Sequence, residues 1–289
     1  MVQAISNRET GKVDRDSQYH PHRWSRLFKD SVAGNPLGRW AIDLRRRRRP
    51  LHVKPEYLSC RSNDDLAEYY VVRLCKPEQI FIDGGAHIGS ITAGVRHNAP
   101  AAEVIMIEAI PRKAKRLARK FPDVKVLNCA LGEEAGRADF FVNLDESARS
   151  SLIGGGARSK KIEISVCRLD DIKFEKSVDV IKLDLEGSEL AALRGGQRLV
   201  ERFRPTILFE SGLQNGGSNN EREIFSWFSG NDYKIFLPSR LPHAAPPMSE
   251  EVFLDSHHYP FRSLNYFAVA SERVSEIREK ASKVIPFRF

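Results

Sequence analysis

The sequence predicts an α/β fold built on a mainly parallel sheet with helices on both faces. Three observations predict it. From about residue 64, short apolar runs alternate with amphipathic segments, the order that strands joined by crossover helices produce. The first apolar run leads into three glycines within six positions, Gly84, Gly85 and Gly89, as at a strand end that opens onto a helix. The chain of 289 residues, 41% hydrophobic and 29% charged, has ordinary globular composition and is long enough for one large domain, or for a domain with an extension.

The elements follow in order. "QIFID" (79–83) reads as a buried strand, "IGSITAGVRHN" (88–98) as a helix, and "EVIMIEA" (103–109) as a second strand. "PRKAKRLARKF" (111–121) gives a helix and "VKVLNCA" (124–130) a third strand. "RADFFVNLD" and "KIEISVCRL" alternate with a period of two, bracket a Ser- and Gly-rich loop, and predict an insertion beside the sheet. "VDVIKLDLEG" is a buried strand leading into one helix, "SELAALRGGQRLVERF", whose Leu190, Leu193, Leu199, Val200 and Phe203 face the sheet. "TILFES", "YKIFL" and "NYFAVA" are strands, "EREIFSWF" and "ERVSEIREKAS" helices. Between the last two strands runs a long loop, from Pro238 to about Ser263, of a length that usually marks function or mobility.

Charge divides the chain. Residues 1–50 hold 12 Lys/Arg against 5 Asp/Glu, a net +7 of the chain's +8. The densest part is the run Arg45, Arg46, Arg47, Arg48, Arg49. A solvated linker is the plain reading, and contact with an anionic surface or membrane the sharper one. The expected organisation is a partly helical basic extension over 1–63 and a catalytic domain over 64–289. Cys60, Cys75, Cys129 and Cys167 show no metal spacing and are expected as reduced thiols. With no apolar leader and no run long enough to span a bilayer, the expectation is a cytoplasmic protein, membrane-peripheral at most.

The glycine turn reads Asp83-x-Gly85-x-x-x-Gly89, which departs from the G-x-G-x-x-G that cradles a pyrophosphate. A carboxylate at that strand end repels phosphate and attracts a cation. S-adenosylmethionine carries a sulfonium and an ammonium and no phosphate, so charge favours it over a nucleotide. Glu108 ends the second strand, where a carboxylate can accept hydrogen bonds from both ribose hydroxyls. The plainer alternatives are a helix cap for Asp83 and a surface acid for Glu108.

With these residues in place, the chain resembles the FkbM-type methyltransferases of the class I, Rossmann-like, S-adenosylmethionine-dependent enzymes. The resemblance runs from about Phe81 to Glu210 and reaches weakly to Ala270. It rests on "FIDGGAHIGS", "VIMIEAIP", "VLNCALGEEAG", the Ser-Ser-Leu at 150–152, "VCRLDDI" and, above all, "VDVIKLDLEGSELAALRGG" followed by "TILFE". His87 departs from it, standing where the family usually shows Asn. The resemblance implies a doubly wound sheet with an antiparallel C-terminal strand. It also implies that Asp83, Gly85, Ala86 and Gly89 line the methionine end of the cofactor, Glu108 the ribose, and Asn128 and Ala130 the adenine.

"IKLDLEG" puts Lys182, Asp184 and Glu186 at alternate positions, so in an extended strand all three project from one face. An internal ion pair is one reading. The other is a cluster facing the acceptor, which Glu210 joins from the next strand. A poor nucleophile such as a hydroxyl needs a base or a metal to manage its proton. The base is favoured over a divalent Mg²⁺ or Mn²⁺, because only Glu210 offers a third oxygen ligand, and no metal site is assigned. Asp170 and Asp171 read as turn and cap residues, and His243, His257 and His258 as ordinary loop histidines.

The predicted function is S-adenosylmethionine-dependent O-methylation of a hydroxyl on a glycan, glycolipid or secondary metabolite. The alternatives are a nucleic-acid methyltransferase using the basic segment, or a non-catalytic binding protein on the same scaffold. Nucleic acid is not an expected partner, for want of a base-flipping motif or an aromatic and basic binding module.

Overall fold

The computed structural model describes residues 57–143, 159–212, 220–258 and 261–284. The basic run Arg45–Arg49 and the Ser-Ser-Leu at 150–152 lie outside them. Helix α1 (Leu58–Leu74) precedes β1 (Ile80–Gly84), α2 (Ser90–Asn98), β2 (Glu103–Ile107), α3 (Pro111–Lys120) and β3 (Lys125–Leu127). Then come β4 (Ala130–Leu131), β5 (Gly136–Asn143) and β6 (Ser159–Cys167), followed by β7 (Val178–Leu183), α4 (Glu189–Arg194) and α5 (Gln197–Phe203). The chain continues with β8 (Thr206–Glu210), α6 (Asn220–Gly230), β9 (Tyr233–Phe236), α7 (Glu250–Asp255), β10 (Asn265–Ala270) and α8 (Val274–Lys283).

Seven strands form the main sheet in the order β3-β2-β1-β7-β8-β10-β9. The pairs of β1 with β2 and β7, of β2 with β3, and of β7 with β8 are parallel, and β10 runs antiparallel to β8 and β9. This is the predicted Rossmann-like sheet with its antiparallel C-terminal strand. The strand order reverses between β1 and β7, so the C-terminal ends of these two strands open the crevice where such sheets bind ligands.

Strand alternation sends side chains to two cores. Ile80, Ile82, Ile105 and Ile107 pack with Leu193 and Val200 on one face. Phe81, Val104 and Met106 pack with Val71 and Leu74 of α1 on the other. Because helices cover both faces, the strands read as near-continuous apolar runs. Asp179, almost fully buried, pairs with Arg273 (2.5 Å) and accepts the amide of Lys76 (2.7 Å), tying both ends of the domain to β7.

Three expectations change. The predicted third strand divides at Asn128 and Cys129: β3 stays in the main sheet, while β4 joins β5 and β6 in a separate three-stranded sheet, where the insertion was expected. The single helix predicted after β7 breaks into α4 and α5, because the chain at Gly195 crosses another turn. A Cβ there would lie 2.0 Å from the carbonyl oxygen of Gly132. The long segment after β9 carries α7, whose Phe253 is fully buried. Among the described residues, no helix is long and apolar enough to cross a membrane.

Candidate active site

The crevice holds a cavity of about 230 Å³. Of the residues singled out in the sequence, Gly85, Ala86, Glu108, Ala130, Lys182, Asp184 and Glu186 line it. Asp83, Gly89, Asn128 and Glu210 do not.

At Gly85 the backbone takes φ +70°, and a Cβ would sit 2.0 Å from the carbonyl oxygen of Asp184, so only glycine fits between the two strand ends. The amides of Gly85 and Ala86 donate to the Ile107 carbonyl (3.0 and 3.1 Å). Lys182 Nζ donates to the carbonyls of Gly84 and Gly85 (3.0 and 2.9 Å), which ties the turn to β7. Glu108 accepts the amides of His87 and Ile110, both at 2.9 Å. Burial pushes its carboxyl up, against the opposing pull of Lys113 and those amides.

Asp83 lies beneath this floor. It is fully buried, accepts from Thr92 Oγ1 at 2.7 Å and stands 3.5 Å from Lys182 Nζ. Its side chain turns toward α2, so it shapes the turn from below. Gly89, with φ +76°, sits against the side chains of Phe121 and Leu117. Asn128 Nδ2 donates to the carbonyls of Glu108 and Ala109 (2.8 and 3.1 Å), bracing the β2 end.

The acidic group forms by a route that strand alternation did not foresee. Strand β7 ends at Leu183, and only Lys182 of the three charges belongs to it. Asp184 follows, and Glu186 takes φ +53°, so a tight turn and not an extended face brings them together. Glu189 holds that turn, its carboxylate accepting the amides of Leu185 (2.7 Å) and Gly187 (3.0 Å). Glu210 arrives from β8, and one carboxylate oxygen each of Asp184, Glu186 and Glu210 lies within 4.8 Å of the other two.

Electrostatics separates the members. Burial alone would lower the Lys182 ammonium, but Asp184 and Asp83 outweigh it and hold it above its ordinary value. Asp184 opens into the cavity yet is otherwise enclosed by protein, which opposes its charge. Lys182, 3.3 Å away, prevails and holds its carboxyl below the ordinary value. Burial, then the charges of Asp184, Glu186 and Glu189, raise Glu210 well above the carboxylate range. Burial raises Glu189 to about 7, with Asp184 and Glu186 adding to the shift against its amide hydrogen bonds.

Glu189 was missed as a site residue, although an acid opening a helix after a strand is a legible signal. Glu68 of α1, Phe140 of β5 and Asn265 of β10 also line the cavity. They come from distant parts of the chain and carry no motif. The expectation of four thiols is corrected: Cys129 and Cys167 form a disulfide, with Cα atoms 6.1 Å apart, because β4 runs beside the end of β6. Cys60 and Cys75 are free and buried. Asp170 caps α5 by accepting the Leu199 amide at 2.9 Å. His257 is buried, bonded to Ser211 Oγ (2.9 Å) and the Phe253 carbonyl (2.7 Å), and His243 and His258 are exposed.

A parallel sheet with this strand order, a glycine turn at the switch point and acids at the ends of β2, β7 and β8 defines a Rossmann-like fold of the methyltransferase class. Residues 83–235, more than half of the chain, match the methyltransferase FkbM domain, and the chain belongs to that family. It is 26% identical over 150 residues to the 2-O-methyltransferase NoeI of Sinorhizobium fredii (strain NBRC 101917 / NGR234), covering 45% of this chain and 62% of that protein. The chain thus spans less than two thirds of the length of NoeI. It is 23% identical over 196 residues to methyltransferase sdnD of Sordaria araneosa, covering 50% of this chain and 76% of that one. Among solved structures, methyltransferase FkbM from Methylobacillus flagellatus KT aligns with a TM-score of 0.44 at 23% identity, over 67% of this chain and 43% of the other.

Proposed function

We propose that the chain transfers a methyl group from S-adenosylmethionine to a hydroxyl of a glycan, glycolipid or secondary metabolite. The observation that carries this reading is one cavity with two chemically distinct ends: a glycine turn beside Glu108, and the acids Asp184 and Glu186 with Glu210 behind them. The residues fit the cofactor. The turn at Gly85 lets a ligand approach the backbone, and each Glu108 oxygen that accepts an amide keeps a second lone pair for a ribose hydroxyl. When bound, the cofactor supplies the methyl: the bond from carbon to sulfur breaks as the bond to the acceptor oxygen forms, leaving a thioether and releasing the hydroxyl proton.

The chain's own residues then have separate tasks. Glu108 orients the nucleoside end, Lys182 fixes the turn, and Asp83 and Thr92 position Lys182 from beneath. Asp184, Glu186 and Glu210 manage the acceptor's proton, since alignment and proton removal are what methylation of a hydroxyl asks of an enzyme. The named activity of NoeI, 2-O-methylation, agrees with an oxygen acceptor. The division into a basic extension over 1–63 and a catalytic domain over 64–289 belongs to the same proposal, with α1 bridging the two. So does contact of Arg45–Arg49 with an anionic surface, to which the exposed side of α3 adds Arg112, Lys115, Arg116 and Arg119 with no acid among them.

Three measurements test the reading. Calorimetry with S-adenosylhomocysteine is expected to give micromolar binding, and its absence would favour a scaffold protein. Labelled methyl transfer into fractionated cell extract is expected to mark glycan, lipid or small molecule, and label in RNA would overturn the acceptor class. Asp184→Asn or Glu186→Gln is expected to slow transfer about 10²- to 10⁴-fold with cofactor affinity unchanged. Full rate in both would leave the cluster structural.

A further inference from the structure

Asp184, Glu186 and Glu210 form an oxygen set that the protein leaves incomplete. Their carboxylates converge from two neighbouring strand ends to within 4.8 Å of one another. Glu210 Oε2 is buried and accepts from no N–H or hydroxyl of the protein, so without a cation only a proton shared with Asp184 holds the two carboxyls together. Such an atom is costly unless a ligand completes it. Lys182 does not fill that place: its ammonium lies between Asp83 and Asp184 and donates to the carbonyls of Gly84 and Gly85. The turn that presents Asp184 and Glu186 is held by Glu189 through two amides, so the set is fixed in advance.

We propose that Asp184, Glu186 and Glu210 bind one divalent cation, Mg²⁺ or Mn²⁺, with its remaining positions open to water and to the acceptor hydroxyl. An all-oxygen set without His or Cys selects hard ions over zinc or copper. The cation makes a bound hydroxyl more acidic, so its proton passes to cavity water and the oxygen is left as the nucleophile. The sequence favoured a base, because only Glu210, distant along the chain, offered a third oxygen ligand. Glu210 now stands beside the pair and shifts the choice to the metal. The catalytic part of this inference rests on the methyltransferase reading, while the cation site does not.

The test is calorimetric titration of Mn²⁺ into the full chain at about pH 8, with and without S-adenosylhomocysteine, supported by the paramagnetic resonance of bound Mn²⁺. One ion per chain is expected, displaced by Mg²⁺. Glu186→Gln and Glu210→Gln should each weaken binding by at least the ten- to hundredfold that even outer partners of a metal command. Glu163→Gln, on the exposed face of β6, should bind as the parent does. Should Glu210→Gln fail to fold, Glu186→Gln decides alone. No Mn²⁺ bound at millimolar concentration, or unchanged affinity in the ligand variants, overturns the site, and intact S-adenosylhomocysteine binding would then leave the methyltransferase reading standing. Mn²⁺ binding without S-adenosylhomocysteine binding keeps the site and removes its role in methyl transfer.

Discussion

Asp83 and Glu108 look equivalent in sequence, an acid at the end of each of two successive strands, but the structure gives them different work. Glu108 lines the cavity, so Glu108→Ala removes charge-assisted hydrogen bonds worth roughly 1.5–3 kcal/mol and is expected to weaken S-adenosylhomocysteine about ten- to hundredfold, and, because the His87 and Ile110 amides it frees can turn to cavity water, to cost less stability than the loss of Asp83. Asp83 is fully buried against Thr92 and Lys182. Asp83→Ala is therefore expected to lower stability by about 3 kcal/mol in urea denaturation, as breaking a buried ion pair does. Equal stability of the two variants would contradict this division. Glu189 gives a pH signature. Burial pushes its carboxyl up from the ordinary value near 4.5 to about 7. Because the folded value is raised, its stabilising contribution is complete below about 4.5 and is lost as pH rises through 7, a decline of roughly 3 kcal/mol. Thermal unfolding between pH 4.5 and 7.5, with chelator present, should show a smaller decline in Glu189→Gln than in the parent. Glu210 and Glu108, also raised, contribute with the same sign.

At the scale of elements, the departures from sequence expectation share one cause. A strand or helix predicted as continuous is interrupted where another segment crosses it closely, as β3 and β4 are at Asn128, and α4 and α5 at Gly195 beside Gly132. The second sheet depends on the same crossing, and the disulfide between Cys129 and Cys167 fastens it, closing a loop of 38 residues in sequence separation. Cross-linking a loop of that size contributes about 2–4 kcal/mol. Denaturant unfolding with and without reductant is expected to show that difference. A free-thiol count of four in the native oxidised protein would remove the cross-link altogether. Cys60 and Cys75, both buried and pushed up to about 12, should stay unlabelled by thiol reagents at neutral pH until unfolding.

For the whole molecule, charge is segregated. Nearly all the net positive charge belongs to residues 1–50, and within the remainder α3 carries six cations and no acid, of which Lys113 reaches the cavity beside Glu108. An acidic cavity suits a cationic cofactor or a metal, and a basic exterior suits an anionic acceptor or the surface that carries it. Deleting residues 1–50 is accordingly expected to leave the rate on a soluble acceptor unchanged and to lower it on one presented in anionic vesicles, the difference shrinking as salt is raised. Equal rates on both would leave the arginine run as a solvated segment.

The sequence by itself determined most of the order of strands and helices, the parallel sheet and the glycine turn. All three rest on local patterning: apolar runs, amphipathic periods, and glycines where a strand end opens onto a helix. The long "VDVIKLDLEGSELAALRGG" block was likewise enough to mark the family, since it lies in one stretch of chain. Only the tertiary structure decided which acids meet. The alternation argument brought Lys182, Asp184 and Glu186 together for the wrong reason, because β7 stops at Leu183 and the turn after it does the positioning. Asp83 turned away from the cavity, Glu189 entered as the brace, and Cys129 found Cys167 across two sheet strands. Such facts depend on where strands end relative to their neighbours and how closely backbones cross. That information is spread over residues far apart in the chain, and no local pattern carries it.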